Sequence, residues 1–378
     1  MAPVSRLAAR LFDLSHAQLL EIAAAGCEAS IEVKNRADAI LAAHKPLAQR
    51  AVEGVLLSSD LMPHLLAPLQ LEDGAAAAVC SQWANGWKAT SEGRRRLRQV
   101  ALDFPQDLLD KISLGTAVVP GGDELVVRSG STVRIFARDM SSGTSFELPS
   151  NIGDVGCIAT SEQFLYATAL GEKRVRCFTH AGTEVANYED PDKYIYTPIL
   201  APGGLLFCVL SDDDPEQDEI IALDAQTLEP RYRFGLSMLN HACEMAVVGE
   251  ELFVCDNMNH RIQVFSLAGE HRRSITGEWK KPHALCLVKD RLYLVEETND
   301  EHDEEEGEEG VESEPCDPLR GRRIFVLSLQ GDTLQVYTNP IEGQFFGETL
   351  CCFDGKLLVP VRSRHSNTFN EMVALCGV

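Results

Sequence analysis

The chain has 378 residues, 45% of them hydrophobic, and its 57 acidic and 34 basic residues give a formal net charge of -23. Phosphate binding needs clustered lysine and arginine, so this charge argues against nucleic acid and anionic membranes as partners. No run approaches the ~18 apolar residues of a membrane span. The length suits a β domain of about 250 residues with a helical domain of about 100.

The first 98 residues have helical periodicity. Ser15 and Gln18 form a capping box before an apolar stretch, and Gly26 ends that helix. A second helix is predicted from Ile31 to His44, ended by Pro46. We therefore predict a helical N-terminal segment at 1–50 and a second helical module at 51–98, followed by a β domain at 99–378.

The stretch from Leu57 to Trp87 has a distinctive order of features. An Asp-Leu pair at Asp60 opens a run of leucines at helical spacing, an acidic helix start follows, and Val-Cys-x-x-Trp with a trailing tryptophan ends it. This order resembles an F-box. The resemblance implies that the helices dock the Skp adaptor of cullin ubiquitin ligases. The implied adaptor-binding residues are Leu61, Leu65, Leu69, Val79 and Trp83. The alternative is a helical cap that packs under the β domain.

A repeated unit of short strands begins near Thr116. In each copy a leucine opens the second strand, and these leucines are Leu125, Leu165, Leu206, Leu252, Leu292 and Leu357. Their spacings cluster near 40 residues, which is a β-propeller period. Alternating apolar and polar residues, as in Glu124–Arg128, indicate half-buried antiparallel strands. We predict six blades, closed by a strand from residues 99–104 that pairs with the last blade. The fold class is thus α+β multidomain, a helical module followed by an all-β six-bladed propeller.

The fourth copy carries a further motif. It contains Asp256 followed by Asn259-His260-Arg261-Ile262-Gln263-Val264-Phe265, with Gly269 after them. This pattern resembles an NHL repeat, and the other blades keep only the strand pattern. The resemblance implies that Asp256 and Arg261 tie neighbouring blades together.

Twelve cysteines are scattered through the chain, mostly in apolar runs such as Leu206–Val209, and no CxxC pair occurs. We interpret them as small buried hydrophobes of a reducing compartment, cytoplasmic and/or nuclear. The fifth copy contains an acidic insert at about 296–319, in which residues 296–317 hold 13 acids and no lysine or arginine. This composition predicts disorder and a solvated loop.

Counting nine residues back from each repeat leucine predicts a ring on the central channel. Its members are Thr116, Gly156, Thr197, Cys243, His283 and Glu348. Zinc catalysis would need about three ligands, for which His283 and Glu348 are weak candidates with His241 displaced. A calcium site would collect Glu244, Asn257 and Glu348. A polar channel with ordered water is the plainer interpretation, so no cofactor is predicted.

These features predict a non-catalytic substrate receptor of a cullin-type ubiquitin ligase. The F-box would dock the Skp-type adaptor and cullin complex, and the propeller would bind an unidentified client protein. The candidate channel and face residues are His241, Asn257, His260, His283 and Glu348. The alternatives are a propeller lyase or hydrolase with a channel zinc or calcium, and a scaffold with neither activity.

Overall fold

The computed structural model describes residues 66, 69, 81–109, 114–149, 156–212, 217–298, 317–347, 349–363, 366 and 368–378. The chain forms two compact units, Met1–Arg98 with Cys376–Val378, and Gln99–Leu375. No helix in these described residues is long and apolar enough to span a membrane.

The described part of the first unit contains two helices, α1 (Ser81–Ala89) and α2 (Ser91–Arg94). Trp83 of α1 is buried, as are Leu66 and Leu69. Lys88 lies in the last turn of α1, where a positive charge interacts favourably with the helix dipole. Three of the predicted adaptor-binding residues, Leu61, Leu65 and Val79, lie outside the described residues, as does the whole segment 1–50.

The second unit contains six antiparallel sheets. Blade 1 contains β2 (Leu114–Val118), β3 (Glu124–Ser129), β4 (Thr132–Ala137) and β5 (Ser142–Glu147). Blade 2 contains β6 (Ile158–Thr160), β7 (Phe164–Thr168), β8 (Arg174–Thr179) and β9 (Glu184–Glu189). Blade 3 contains β10 (Tyr194–Ala201), β11 (Leu205–Ser211), β12 (Asp218–Asp224) and β13 (Pro230–Leu239).

The remaining three sheets continue the same strand order. Blade 4 contains β14 (Ala242–Val248), β15 (Glu251–Asp256), β16 (Arg261–Ser266) and β17 (His271–Thr276). Blade 5 contains β18 (Pro282–Val288), β19 (Arg291–Glu296), β20 (Arg323–Ser328) and β21 (Thr333–Thr338). Blade 6 contains β22 (Gln344–Phe346), β23 (Cys351–Phe353), β24 (Lys356–Ser363) and β25 (Glu371–Cys376), with β1 (Arg98–Val100) at its outer edge.

The innermost strands follow one another around a ring. In order they are β2, β6, β10, β14, β18 and β23, and β23 contacts β2 again. The predicted six-bladed propeller is therefore confirmed. The strand before blade 1 closes the ring, because β1 pairs with β25. The outer strand of blade 6 therefore comes from the segment that precedes blade 1.

The repeat leucines have one structural role. All six lie on the second strand of a blade and are at most 1% exposed. Leu252 and Val254 pack into a cluster shared with blade 3, whereas Phe253 and Cys255 pack into a cluster shared with blade 5. Successive side chains of a strand point to opposite faces, so each blade buries both faces against its neighbours. The repeat leucine lies on the face that packs against the preceding blade, as Leu252 does against blade 3.

Turn residues fit the short hairpins. Gly203 and Gly204 join β10 to β11 and have φ angles of 82° and 75°. Two consecutive positive φ values suit a tight hairpin turn, and glycine adopts them without steric cost. Between blades 6 and 1, the short helix α3 (Gln106–Leu109) buries Leu108 and Leu109 in the shared apolar cluster.

Candidate functional site

The ring of inner strands surrounds a central channel that contains two connected cavities. The larger, of about 650 Å³, lies at the end where the inner strands begin, and we call it the entrance cavity. The smaller, of about 400 Å³, lies toward the other end. Both cavities are lined at mid-depth by Thr116, Ile158, Pro198, Glu244 and Leu350. Glu244 is the only charged residue in this set.

The residues predicted for the channel ring line the entrance cavity wherever they are described. Thr116, Gly156, Thr197, Cys243 and His283 all do so, and Glu348 lies outside the described residues. Its neighbour Thr349 lines the cavity, with its hydroxyl 3.1 Å from that of Thr116. The described ring residues are thus mainly small and uncharged.

Glu244 is a carboxyl group that has no ion pair among the described residues. The backbone N–H of Met245 donates a hydrogen bond to it. Burial raises its pKa to about 8. Burial also raises the pKa of the nearby Cys255 and Cys286 thiols well above the ordinary value, and the Glu244 charge adds to this. These two thiols therefore stay neutral beside it.

The predicted face residues occupy different environments. His241 is exposed and lines the entrance cavity together with the part-buried His283, whose buried Nδ1 has no hydrogen-bond partner among the described residues. The Nδ1 of His260 accepts a hydrogen bond from the Lys281 backbone N–H at 3.1 Å. Burial, with the charges of Lys280 and Lys281, lowers the pKa of His260. Both effects favour the neutral form of the His260 imidazole.

Asn257 does not lie on the surface, contrary to its selection as a face residue. Its exposed fraction is 0%, and its Nδ2 donates to the carbonyl oxygen of Pro282 in blade 5 at 3.3 Å. Its backbone N–H donates to the His241 carbonyl oxygen. The side chain connects two blades, because the loop after β15 folds back into the interior.

The described residues contain no group of three or more His, Cys, Asp or Glu side chains placed to hold a metal ion. His283 and His241 both line the entrance cavity, but the described residues do not bring either of them into such a group. The predicted zinc and calcium sets both include Glu348, which lies outside the described residues.

The Asp-Arg pair of blade 4 is a structural device. Asp256 is fully buried and accepts from the backbone N–H of Asn240 at 2.8 Å and from Arg261 Nε at 2.6 Å. Arg261 Nη2 also donates to the Met238 carbonyl oxygen of β13 at 3.0 Å. Arg261 therefore joins blade 4 to blade 3, as the NHL resemblance implies.

Blade 5 repeats this device with a glutamate. Glu296 is the last residue of β19, is 1% exposed, and pairs with Arg323 Nη2 at 2.8 Å. Its other oxygen accepts from the Lys280 backbone N–H at 2.8 Å. Burial raises the pKa of Glu296, although these hydrogen bonds oppose the shift. The sequence analysis placed Glu296 in the acidic insert. The repeat spacing was the signal for its true position, because Glu296 lies four residues after Leu292 just as Asp256 lies four residues after Leu252.

Arg128 is a buried cation that the sequence did not reveal. It is 1% exposed, and its Nη1 donates to the Thr168 carbonyl oxygen at 2.6 Å across the junction of blades 1 and 2. A Cβ atom at Gly156 would lie 2.6 Å from this nitrogen and 1.6 Å from that oxygen. Glycine at 156 is therefore required by the close approach of the two blades. The amino-acid sequence of β3 contains no feature that distinguishes Arg128 from a surface arginine.

One end of the ring carries half of the exposed large hydrophobic residues of the described chain, and they are the ones that lie in loops and connections. In an antiparallel blade, the loops between second and third strands share an end with the connections between blades. Leu170, Met258 and Leu319 lie in such loops, and Ile341 lies in such a connection. We call this end, with the entrance cavity, the entrance face. The other exposed large hydrophobics of the described residues are Val185, Leu236, Leu334 and Val336, all on fourth strands of blades.

No family profile and no curated protein sequence matches this chain. Among solved structures, it is similar to the WD40 β-propeller domain of Doa1, with a TM-score of 0.48, 14% identity, and coverage of 70% of this chain and 77% of that one. It is also similar to U3-55K, with a TM-score of 0.49, 11% identity, and coverage of 74% and 98%. A chain of a nidogen/laminin complex has a TM-score of 0.47, 13% identity, and coverage of 60% and 79%.

The buried blade junctions predict a marked contrast between two arginines. Arg261→Ala leaves the fully buried Asp256 without its cation, and we expect a loss of about 3 to 5 kcal/mol in the free energy of unfolding. Arg231→Ala removes an arginine that is 50% exposed and pairs with Asp224, so we expect a loss of about 1 kcal/mol or less. Urea unfolding followed by circular dichroism measures both. Equal losses would contradict the structural role of Arg261.

The Glu244 carboxyl predicts a pH-dependent stability. Its pKa is about 8 in the folded protein against an ordinary 4.5, so its contribution is fully present below pH 4.5 and is lost as the pH rises through 8. Gln cannot ionise, so Glu244→Gln should remove this pH-dependent loss and be more stable than wild type by on the order of a few kcal/mol at pH 9, with little difference at pH 5. Unfolding of both at several pH values tests this. Glu250→Gln, at an exposed turn of the same blade, should leave the wild-type profile unchanged.

Proposed function

We propose that this chain is a substrate receptor of a cullin-type ubiquitin ligase. The N-terminal module would dock a Skp-type adaptor, and the propeller would hold a client protein for modification. The observation that carries the proposal is the F-box-like order of residues at 57–87, placed directly before a protein-binding type of domain. The chain itself would supply binding and no covalent chemistry.

The residues of the proposed module divide into two roles. Leu69 and Trp83 are 8% and 6% exposed, so they belong to the interior of their unit. In this proposal they hold the helices together, and Leu61, Leu65 and Val79 contact the adaptor. A module of this kind needs both kinds of residue, because a docking stripe must be held by a core of its own.

The entrance face supports the client-binding part of the proposal. Leu170 and Met258 are 62% and 47% exposed there, and Leu170 also lines the entrance cavity. Apolar side chains around a concave site are typical of protein interfaces. The histidines His241 and His283 line the same cavity, so they are candidate client contacts at its rim.

A pull-down with the Skp adaptor tests the ligase proposal. We expect the full chain to bind the adaptor and Leu61→Asp with Leu65→Asp to weaken binding at least about tenfold, because charged groups replace apolar contacts. Lys88→Ala, an exposed change on α1, should bind as wild type does. Circular dichroism must show the β signal unchanged in each variant. A wild-type chain that does not bind, or a double variant that binds equally, would end the proposal.

The client-binding surface is tested by pairs of substitutions. Leu170→Asp with Met258→Asp should reduce the yield of co-purifying client proteins at least about tenfold, because both residues are on the entrance face. Val185→Asp with Leu334→Asp changes equally exposed residues of the outer strands β9 and β21 and should have little effect. Quantitative mass spectrometry of the purified complexes gives the yields. A reversed or equal response would place the client elsewhere.

A further inference from the structure

The middle of the channel contains an unusual combination of groups. Glu244 lines both cavities. The other residues that line both are Thr116, Ile158, Pro198 and Leu350. Glu244 is the one carboxylate there, and the part of the chain that the structure describes provides no cation for it. The apolar residues Ile158, Pro198 and Leu350 line the same section of the channel, which both cavities share.

We propose that the central channel binds a primary ammonium group at the Glu244 carboxylate, with the attached alkyl chain against Ile158, Pro198 and Leu350. The ammonium would be carried by a lysine side chain, a chain N-terminus or a free amine. This site goes beyond the proposed adaptor docking and does not depend on it.

The hydrogen-bonding groups of the wall suit an ammonium ion. An ammonium has three donors, and the wall offers the Glu244 carboxylate together with the hydroxyls of Thr116, Thr197 and Thr349 as neutral acceptors. A guanidinium has five N–H donors in a planar fork and pairs best with a carboxylate in bidentate geometry, so more of its donors would be left unsatisfied at this site. A divalent metal would need several anionic ligands, and the described residues contain no group of three or more His, Cys, Asp or Glu side chains that could hold one.

The charge of Glu244 gives the site a distinctive pH dependence. The pKa of the free carboxyl is about 8, so below that pH it is neutral and must release a proton when the ammonium binds. Affinity should therefore rise as the pH increases from 6 to 8, by up to about tenfold per unit, and then level off. The other titratable or charged side chains that line the described cavities are Cys157, Tyr196, Asp212, His241, Cys243, His283, Cys286, Cys351, Cys352 and Arg362. Asp212 directly follows β11 and Arg362 lies near the end of β24, so both are at the entrance rim.

The test uses n-butylammonium chloride as a probe of the lysine side chain. Binding to the full chain is measured by calorimetry, and the Glu244 carboxyl is followed by NMR after labelling glutamate with carbon-13. We expect saturable binding at pH 8.5 that lowers the pKa of Glu244 by about one unit or more. Glu244→Gln should weaken binding at least about tenfold, and the exposed control Glu250→Gln should bind as wild type does.

Further probes separate the possible sources of the ammonium. n-Butanol, which has the same alkyl chain without the charge, should not bind. A blocked glycine peptide with one central lysine should bind if a lysine side chain is the natural occupant, and an unblocked glycine peptide without lysine should bind if a chain N-terminus is. If neither peptide binds while n-butylammonium does, the occupant is a free amine.

Three results would overturn the proposal. The first is that wild type does not bind n-butylammonium at pH 8.5. The second is that Glu244→Gln binds it as tightly as wild type does. The third is that wild type binds n-propylguanidinium more tightly than n-butylammonium. Glu244→Gln keeps the shape of the side chain, and we expect the variant to be more stable than wild type at high pH. Lost binding at pH 8.5 would therefore not result from unfolding. Adaptor binding by the same variant should be unchanged, so failure of this proposal is distinguishable from failure of the ligase proposal.

Discussion

The structure depends on apolar packing between consecutive blades. No single four-stranded sheet could bury both of its faces, so each blade is stable only between two others. Leu206 and Cys208 of β11 pack toward blade 2, while Phe207 and Val209 of the same strand pack toward blade 4. A ring satisfies this requirement for every blade. Closing it with β1 against β25 removes the edges that an open array would expose.

Polar groups at the blade junctions specify how the blades meet. Asp256, Glu296 and Arg128 are almost completely buried, and each is held by hydrogen bonds or ion pairs to neighbouring segments. Burying a charge is costly unless it is paired, so such groups add little net stability but strongly disfavour a misaligned blade. Glu244 differs from them because it lies in the channel and has no described cation. That difference is why we assign it a binding role and the others a structural one.

The two ends of the propeller have different surfaces. The entrance face has exposed Leu170, Met258 and Leu319 around a wide cavity, and the hairpin turns at the other end are short and rich in glycine, as at Gly203 and Gly204. Short turns expose few side chains that could bind a partner. Longer loops on a rigid ring can vary in sequence without disturbing the fold. The ring of inner strands thus supports both proposals, with a client on the entrance face and an ammonium group deeper in the channel.

The sequence by itself determined the six blades and their closure, because strand alternation and a period near 40 residues are local patterns that recur at Leu125, Leu252 and the other repeat leucines. It also indicated the channel ring, since a fixed offset from those leucines reaches the entrance cavity in the five blades where that residue is described. Only the tertiary structure decided the rest. Asn257 is buried between blades, and Glu296 pairs with Arg323. The sequence named Glu244 only as a candidate calcium ligand, and the structure gives it no described cation and a place in both cavities. The physical reason is that burial and charge pairing depend on which segments of neighbouring blades meet, and residues far apart in the sequence supply those contacts.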